Sequence, residues 1–312
     1  MIAKLGDTGQ YVSQIQKYLS FLGYDLVVDG HYGNITLRSV RAFQKRSGLS
    51  TDGMVGPQTL SALKASQKKT AKEDYSRIYP KSYPDNLNIN IESTLPSEQY
   101  NKQITDKCQI YIHFTAGRAS ANNTITYWGD NVSKVSTAFV VDGNTGQVFQ
   151  AFHPDYWGWH LGVKGTNGKL DKCSIGIEVC SFGPLKKKGD KFYAWPPIDP
   201  NTRRELFKTE VSSDHVYTLD EEFRGFKYFY AYSDEQIESL ENLINYLVEE
   251  YKIPVQESFD ISWFDYKLKD LKANKTPGIW THVNVRKDKS DSYPDHRILE
   301  MLNRISCKKN SK

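Results

Sequence analysis

The run "QIYIHFTAG" (residues 109–117) decides the fold of most of this chain. Successive side chains of a strand point to opposite faces, so Ile110, Ile112 and Phe114 share one face and His113 takes the other. The same grammar recurs in "SIGIEV" (174–179), where Ile175, Ile177 and Val179 oppose Glu178. It recurs again in "IWTHVNV" (279–285), where Ile279, Thr281 and Val283 alternate with Trp280 and His282. One polar residue on one strand is usually a satisfied or exposed side chain. Three strands that each set a single His or Glu against an aliphatic face argue for a shared site.

Around these runs, "TAFVVD" (137–142) and "VFQAF" (148–152) also read as strands. A helix is expected over about 234–251, capped by Ser233 with Gln236 at the third position. Ile237, Leu240, Ile244, Leu247 and Tyr251 form its core stripe. Strands interspersed with helices predict an α/β domain, with a mixed central sheet flanked by helices, over residues 81–312. Residues 181–232 form a long insert rich in Lys and aromatics, including "GPLKKKGDKFYAWPP". It is expected either to wall a groove or to be a structural elaboration.

The first 65 residues contain a degenerate repeat, in which "DGHYGNITLRSVRAFQ" (29–44) is echoed by "DGMVGPQTLSALK" (52–64). In each half Asp-Gly makes a tight turn, the next Gly supplies a left-handed residue, and a Thr three residues later opens an apolar-periodic helix. Leu37, Val40 and Phe43 mark one helix, and Val12, Ile15, Leu19 and Leu22 mark an earlier one. A small three-helix bundle is expected over 1–65. The polar, charged stretch 66–80 reads as a linker.

The chain has 312 residues, of which 38% are hydrophobic and 25% charged, so about two domains with real cores are expected. A net charge of +4 is too small to argue for a nucleic-acid partner. No stretch approaches the roughly 20 apolar residues of a membrane span, and "MIAKLGDTGQ" has no apolar signal-peptide core. Synthesis and retention in the cytoplasm are therefore expected, with no membrane partner. Nothing in the sequence sets an oligomeric state. Cys173 and Cys180 bracket "SIGIEV", and seven extended residues span about 23 Å, too far for a disulfide. All four cysteines are expected to be reduced thiols.

The chemistry of the three strands suits a catalytic zinc, which takes three protein N or O ligands and keeps a fourth position for water. His113 and His282 supply imidazoles, and a carboxylate after His282 can complete the set. There is no HExxH motif, so the ligands must converge from separate elements.

Two resemblances sharpen this. "LGDTGQYVSQIQKYLSFLGY", "DGHYG" with "VRAFQKRSGL", and "DGMVGPQTLSAL" resemble the peptidoglycan-binding module of cell-wall hydrolases. From about 105 to 305, "IHFTAG", "VSTAFVVDGNTGQVFQ", "WGWHLG", "CSIGIEV", "YSDEQIESLENLINYLVEEYKIP" and "TH…KSD" resemble zinc-dependent N-acetylmuramoyl-L-alanine amidases of the phage-lysozyme and peptidoglycan-recognition type. That resemblance implies His113, His282 and Asp291 as zinc ligands, Glu178 as general base and Lys289 as the cation facing the oxyanion. It implies a substrate pocket at His160, with Thr115 and Trp159 as further substrate-binding candidates. The implied reaction is hydrolysis of the bond between N-acetylmuramic acid and the stem-peptide L-alanine of bacterial peptidoglycan.

The chain departs from the family in three ways. Thr137-Ala138-Phe139 replaces a Tyr-His or Ala-His, so that an auxiliary polar group near the oxyanion is either missing or supplied elsewhere. "THVN" and "SDSYPD" replace "GHSD" and "DPGP", which makes Asp288 a rival to Asp291. The third departure is the 181–232 insert. His31, His153, His215 and His296 lack any partner pattern and are expected at the surface. With no signal peptide and an N-terminal wall module, a phage endolysin released at lysis is the expected biology. The competing readings are a non-catalytic peptidoglycan receptor on the same fold and a zinc endopeptidase acting within the stem peptide.

Overall fold

The computed structural model describes residues 2–21, 24, 26, 28–66, 83–84, 86–117, 120–130, 134–194, 205–274 and 276–310. It divides into two compact units, 1–82 and 83–312. Residues 67–80 of the expected linker, and Leu22 of the first helix stripe, lie outside the described residues.

The N-terminal unit contains α1 (Gln10–Phe21), α2 (Asn34–Arg46) and α3 (residues 57–66). Val12, Ile15, Leu19, Val40, Phe43 and Leu63 are buried together with Tyr32 and Val55. The repeat is held by a pair of glutamines that the Asp-Gly pattern does not reveal. Gln16 Oε1 accepts from Gly30 N at 2.8 Å, and its Nε2 reaches Asp29, the His31 carbonyl and Thr36 at 2.8–3.0 Å. Gln44 makes the equivalent set with Gly53 N, Asp52, the Met54 carbonyl and Thr59 at 2.8–3.2 Å. The left-handed residues are therefore the first glycines of each half, Gly30 and Gly53, at φ +73° and +74°. Gly33 instead precedes α2 at φ −83°, so the expectation of a left-handed second glycine is corrected.

The larger unit is built on a six-stranded sheet. Its strands are β1 (Ile89–Asn90), β2 (Gln109–Phe114), β3 (Phe139–Val141), β4 (Val148–Gln150), β5 (Ser174–Val179) and β11 (Gly278–Thr281). The order is β1-β4-β3-β5-β2-β11, parallel except for the β3–β4 pair. Ile110, Ile112 and Phe114 enter the main core with Ile175, Ile177 and Val179, against α6 (Asp234–Glu250) and α8 (His296–Asn310). Ser233 and Gln236 form the expected reciprocal cap of α6. Each fully buried Leu or Ile of this layer contributes about 1.5–3 kcal/mol of transfer free energy. The opposite face of the sheet is also covered. Tyr111 and Trp280 pack there with Leu161, Leu170 and Val285, beneath a segment that carries α5 (Lys169–Lys172).

Three expected strands are shorter than their apolar runs, and the second of them, "VFQAF", ends at Gln150. The first stops at Val141 because Asp142 Oδ1 accepts from Asn144 N, Thr145 N and Thr145 Oγ1 at 2.9–3.1 Å, which starts a turn. The last stops at Thr281, and residues His282–Asn284 form a 3₁₀ turn. Asn284 causes this: its Oδ1 accepts from Thr281 N at 2.8 Å, while its Nδ2 donates to the Trp263 and Asp265 carbonyls at 2.6 and 2.7 Å. His282 is therefore the first residue of a turn and not a strand residue.

Residues 195–204 lie outside the described residues, and the described part of the 181–232 insert is a second, antiparallel sheet. It comprises β6 (Pro184–Lys188), β7 (Lys191–Ala194), β8 (Glu210–Val211), β9 (Val216–Phe223) and β10 (Phe226–Tyr230), in the order β8-β7-β6-β10-β9. Its anchor is Phe229 on β10, fully buried and stacked on Tyr293 with ring centroids 4.4 Å apart. α4 (Ala121–Asp130) and α7 (Leu268–Asn274) complete the helices among the described residues. Among the described residues no helix is long and apolar enough to cross a membrane.

Candidate active site

The parallel strands β2, β5 and β11 end on the same side of the sheet, and the candidate residues gather there. His113 Nδ1, His282 Nδ1 and Asp291 Oδ2 form a nearly equilateral triangle with edges of 3.1, 3.0 and 2.9 Å. All three side chains are buried. Asp291 is brought back to the triangle because Val283 N donates to its carbonyl at 3.2 Å, and Thr281 Oγ1 accepts from Ser292 N.

The donor set fits a metal ion. His282 Nε2 faces the Leu161 carbonyl at 3.0 Å. A carbonyl only accepts, so this nitrogen carries the hydrogen. In the neutral ring the Nδ1 lone pair then points at a carboxylate oxygen 2.9 Å away. A contact of that kind is relieved by a cation between the two, either a metal ion or a proton on the ring. The triangle is slightly tighter than the roughly 3.3 Å ligand spacing of a tetrahedral ion with bonds of about 2.0–2.1 Å.

Glu178 stands beside the triangle as the register partner of His113. Its Oε2 is buried and has no hydrogen-bond partner among the described residues. Burial pushes its carboxyl well above the usual range; Asp291 adds to the rise and Lys289 opposes it. Burial likewise lowers His113 to about 4 and holds His160 well below the usual imidazole range. Burial opposes ionisation of Asp291 too, but the two imidazoles outweigh it and keep that carboxyl far below its ordinary value.

Asp288 lies elsewhere. It is exposed and paired with Arg286, whose Nε donates to Oδ1 at 2.7 Å and Nη2 to Oδ2 at 2.5 Å. Arg286 Nη1 also donates to the Gly162 carbonyl at 3.0 Å. Lys289 follows this turn half-buried, and its charge acts on both Glu178 and His113.

His160 sits behind His113, with Nδ1 2.9 Å from His113 Nε2 and Nε2 2.9 Å from Ser174 Oγ. Gly176 makes room for it, since a Cβ there would lie 3.0 Å from His160 Nδ1 and 2.7 Å from Thr137 Cγ2. Thr137 itself is buried, with its hydroxyl donating to the Phe139 carbonyl at 3.0 Å. Thr115, half-buried, donates to the Ser181 carbonyl at 3.2 Å and accepts from Ser181 N. Trp159 is exposed and edge-on to Trp157 at 4.9 Å. His31, His215 and His296 are exposed as expected, but His153 is buried, its Nδ1 accepting from Asp155 N at 3.2 Å. Ser174 and Leu161 fall within "CSIGIEV" and "WGWHLG", yet neither they nor Asp171 are singled out by the sequence, because their part is played by hydrogen bonds that spacing does not reveal.

Fold and site together define a two-unit protein whose larger, mixed α/β unit carries a buried His-His-carboxylate centre with an adjoining Glu. Comparison with known families gives two matches. Residues 8–63 match the putative peptidoglycan binding domain, and residues 107–294, more than half the chain, match N-acetylmuramoyl-L-alanine amidase. The chain belongs to the N-acetylmuramoyl-L-alanine amidase family. It is 30% identical over 145 residues to the amidase CwlL of Bacillus licheniformis, covering 44% of this chain and 39% of that protein. It is 45% identical over 71 residues to the amidase CwlA of Bacillus subtilis, covering 23% of this chain and 25% of that protein. These matches thus span well under half the length of either relative. A solved structure of a mutant endolysin from Bacillus subtilis aligns with 71% of this chain and 97% of its own, at 17% identity and a TM-score of 0.38.

Proposed function

We propose that the chain is a zinc-dependent peptidoglycan hydrolase that cleaves the amide between N-acetylmuramic acid and the L-alanine of the stem peptide. The observation that carries this reading is the meeting of two imidazole nitrogens and a carboxylate oxygen within 3.1 Å of one another, next to a buried Glu178 oxygen that has no hydrogen-bond partner among the described residues. His113, His282 and Asp291 would hold the ion. Zinc, when bound, supplies Lewis acidity toward the scissile carbonyl and acidifies water.

The chain's own residues supply the proton transfers. Glu178, whose carboxyl burial holds well above the usual range, takes a proton from the attacking water and returns it to the departing L-alanine nitrogen. Lys289 meets the negative charge that develops on the carbonyl oxygen. Thr115 and Trp159 are the proposed substrate contacts, and the N-terminal unit tethers the enzyme to the wall. Action on the wall after release at lysis belongs to the same proposal.

Mass spectrometry of purified peptidoglycan digested by the full chain tests the reaction. The expected products are stem peptides with a free L-alanine amine and glycan strands with intact lactyl groups. Cleavage within the stem peptide, or binding without cleavage, would refute it.

A further inference from the structure

We propose that Ser174, His160 and Leu161 form a proton-ordering relay that dictates which ring nitrogens of His113 and His282 carry hydrogen. His160 and Ser174 are then positioning residues for the metal ligands. The inference rests on the metal-dependent reading above.

The order begins at a single hydroxyl. Ser174 Oγ lies 2.7 Å from the Leu170 carbonyl, which can only accept, so the one hydroxyl hydrogen goes there. Oγ therefore presents a lone pair to His160 Nε2 at 2.9 Å, and that nitrogen must donate. Among the described residues no carboxylate contacts the buried His160 ring, and with its hydrogen on Nε2 the ring keeps a lone pair on Nδ1. Nδ1 faces His113 Nε2 at 2.9 Å, so His113 in turn donates from Nε2. Its Nδ1 is left with a lone pair aimed into the triangle with His282 and Asp291.

The next residue orders the other ligand, since the Leu161 carbonyl accepts from His282 Nε2. Both imidazoles are thus set by one dipeptide, and that dipeptide is pinned. The amides of His160 and Leu161 both donate to Asp171 Oδ1 at 3.0 Å, and Asp171 is 1% exposed. Leu170, Asp171 and Ser174 lie within five residues, so one short stretch before β5 and along its first residue governs both metal-facing nitrogens. Such outer partners fix tautomer and ring orientation and typically affect metal affinity about 10–100-fold.

Loss of the Ser174 hydroxyl frees His160 to carry its hydrogen on Nδ1. His113 would then have to accept at Nε2 and carry hydrogen on Nδ1, where the ion belongs.

The test uses the full chain with Ser174→Ala and the hydroxyl-retaining Ser174→Thr. Zinc affinity is measured by competition with a chromophoric chelator, and the tautomers of His113 and His160 by ¹⁵N-histidine NMR on metal-free protein. The expected result is Nε2–H on both rings in the parent chain. Ser174→Ala should weaken zinc binding about 10–100-fold with mixed tautomers, and Ser174→Thr should restore both. Unchanged tautomers in Ser174→Ala, whatever its affinity, would overturn the relay, as would Nδ1–H on His113 of the parent chain. A parent chain with the expected tautomers that respond to Ser174→Ala, yet with no zinc affinity, would keep the relay and refute the metal-dependent reading.

Discussion

His113 on β2 and Glu178 on β5 are register partners across a parallel pair of strands. Register partners project to the same face of a sheet, so a candidate metal ligand and a candidate base become lateral neighbours without any loop having to place them. Exchanging Glu178 for Gln should therefore leave the metal content unchanged while lowering the cleavage rate about 10²–10⁴-fold, the usual contribution of a general base. Elemental analysis and a turbidity assay on the same preparation check it. Loss of zinc along with activity would show that Glu178 ligates the ion.

The same substitution alters how the metal-free chain responds to acid. His113 titrates at about 4 when folded, below its ordinary 6.5, and His160 is shifted the same way. Their contribution is present above about 6.5 and is lost as pH falls toward 4, because the unfolded chain then binds protons that the native one does not. Glu178 runs the other way. Its folded pKa is raised, so its stabilisation is present below the ordinary glutamate range and is lost as pH rises. In the parent chain these slopes partly cancel. In Glu178→Gln only the histidine slopes remain, at up to about 1.4 kcal/mol per pH unit for each group. Urea denaturation between pH 7 and 4.5 should show a steeper loss in the variant, and parallel curves would contradict the assigned shifts.

The insert sheet reaches the site through Tyr293, two residues after Asp291. Tyr293 stacks on Phe229 and on Tyr232, and Tyr232 shares a hydrogen bond with Ser292 at 2.9 Å. Phe229→Ala should cost about 3–5 kcal/mol as a buried aromatic truncation, and it should also loosen the Asp291 segment. Zinc affinity should fall more than in Leu247→Ala, an equally buried truncation on α6. Equal affinities in the two variants would reduce the insert to a remote elaboration.

What was legible in the sequence follows from how local each signal is. Alternation placed His113 and Glu178 correctly because strand period is a property of adjacent residues. The Ser233–Gln236 cap was legible for the same reason. His282 was read as a strand residue because its turn depends on Asn284 reaching the distant Trp263 and Asp265 carbonyls. His153 was read as exposed because its cover comes from the fold. The choice of Asp291 over Asp288 rests on the family resemblance, since a run of alternating acids and bases has no period that distinguishes its members.

Removing residues 1–65 should weaken attachment to purified walls while sparing cleavage of small soluble muropeptides. A tether raises the local concentration of the catalytic unit at the wall without entering its chemistry. The N-terminal unit has its own core and its own glutamine-centred turns, which is consistent with that separation. Sedimentation with walls and a soluble-substrate assay decide it; equal losses in both would make the helical module part of the active fold.

Two carboxylates compete for the third ligand position, and their hydrogen bonds separate them. Asp291 is 7% exposed and lies within 3.0 Å of both imidazoles. Asp288 is exposed, and Arg286 holds its carboxyl at about 2 through paired hydrogen bonds. A side chain committed to a guanidinium in solvent would have to break that pairing to reach the triangle. Removing it should cost little, since an exposed pair of this kind contributes about 0–1 kcal/mol. Removing Asp291 instead leaves the two imidazoles without their anionic partner and the ion without a ligand. Asp291→Ala should therefore abolish wall lysis and sharply lower zinc affinity, and zinc added back after chelation should restore the parent chain but not this variant. Asp288→Ala should keep both properties nearly intact. The opposite ranking in a zinc titration would reassign the ligand, and with it the role of Lys289, which lies between the two.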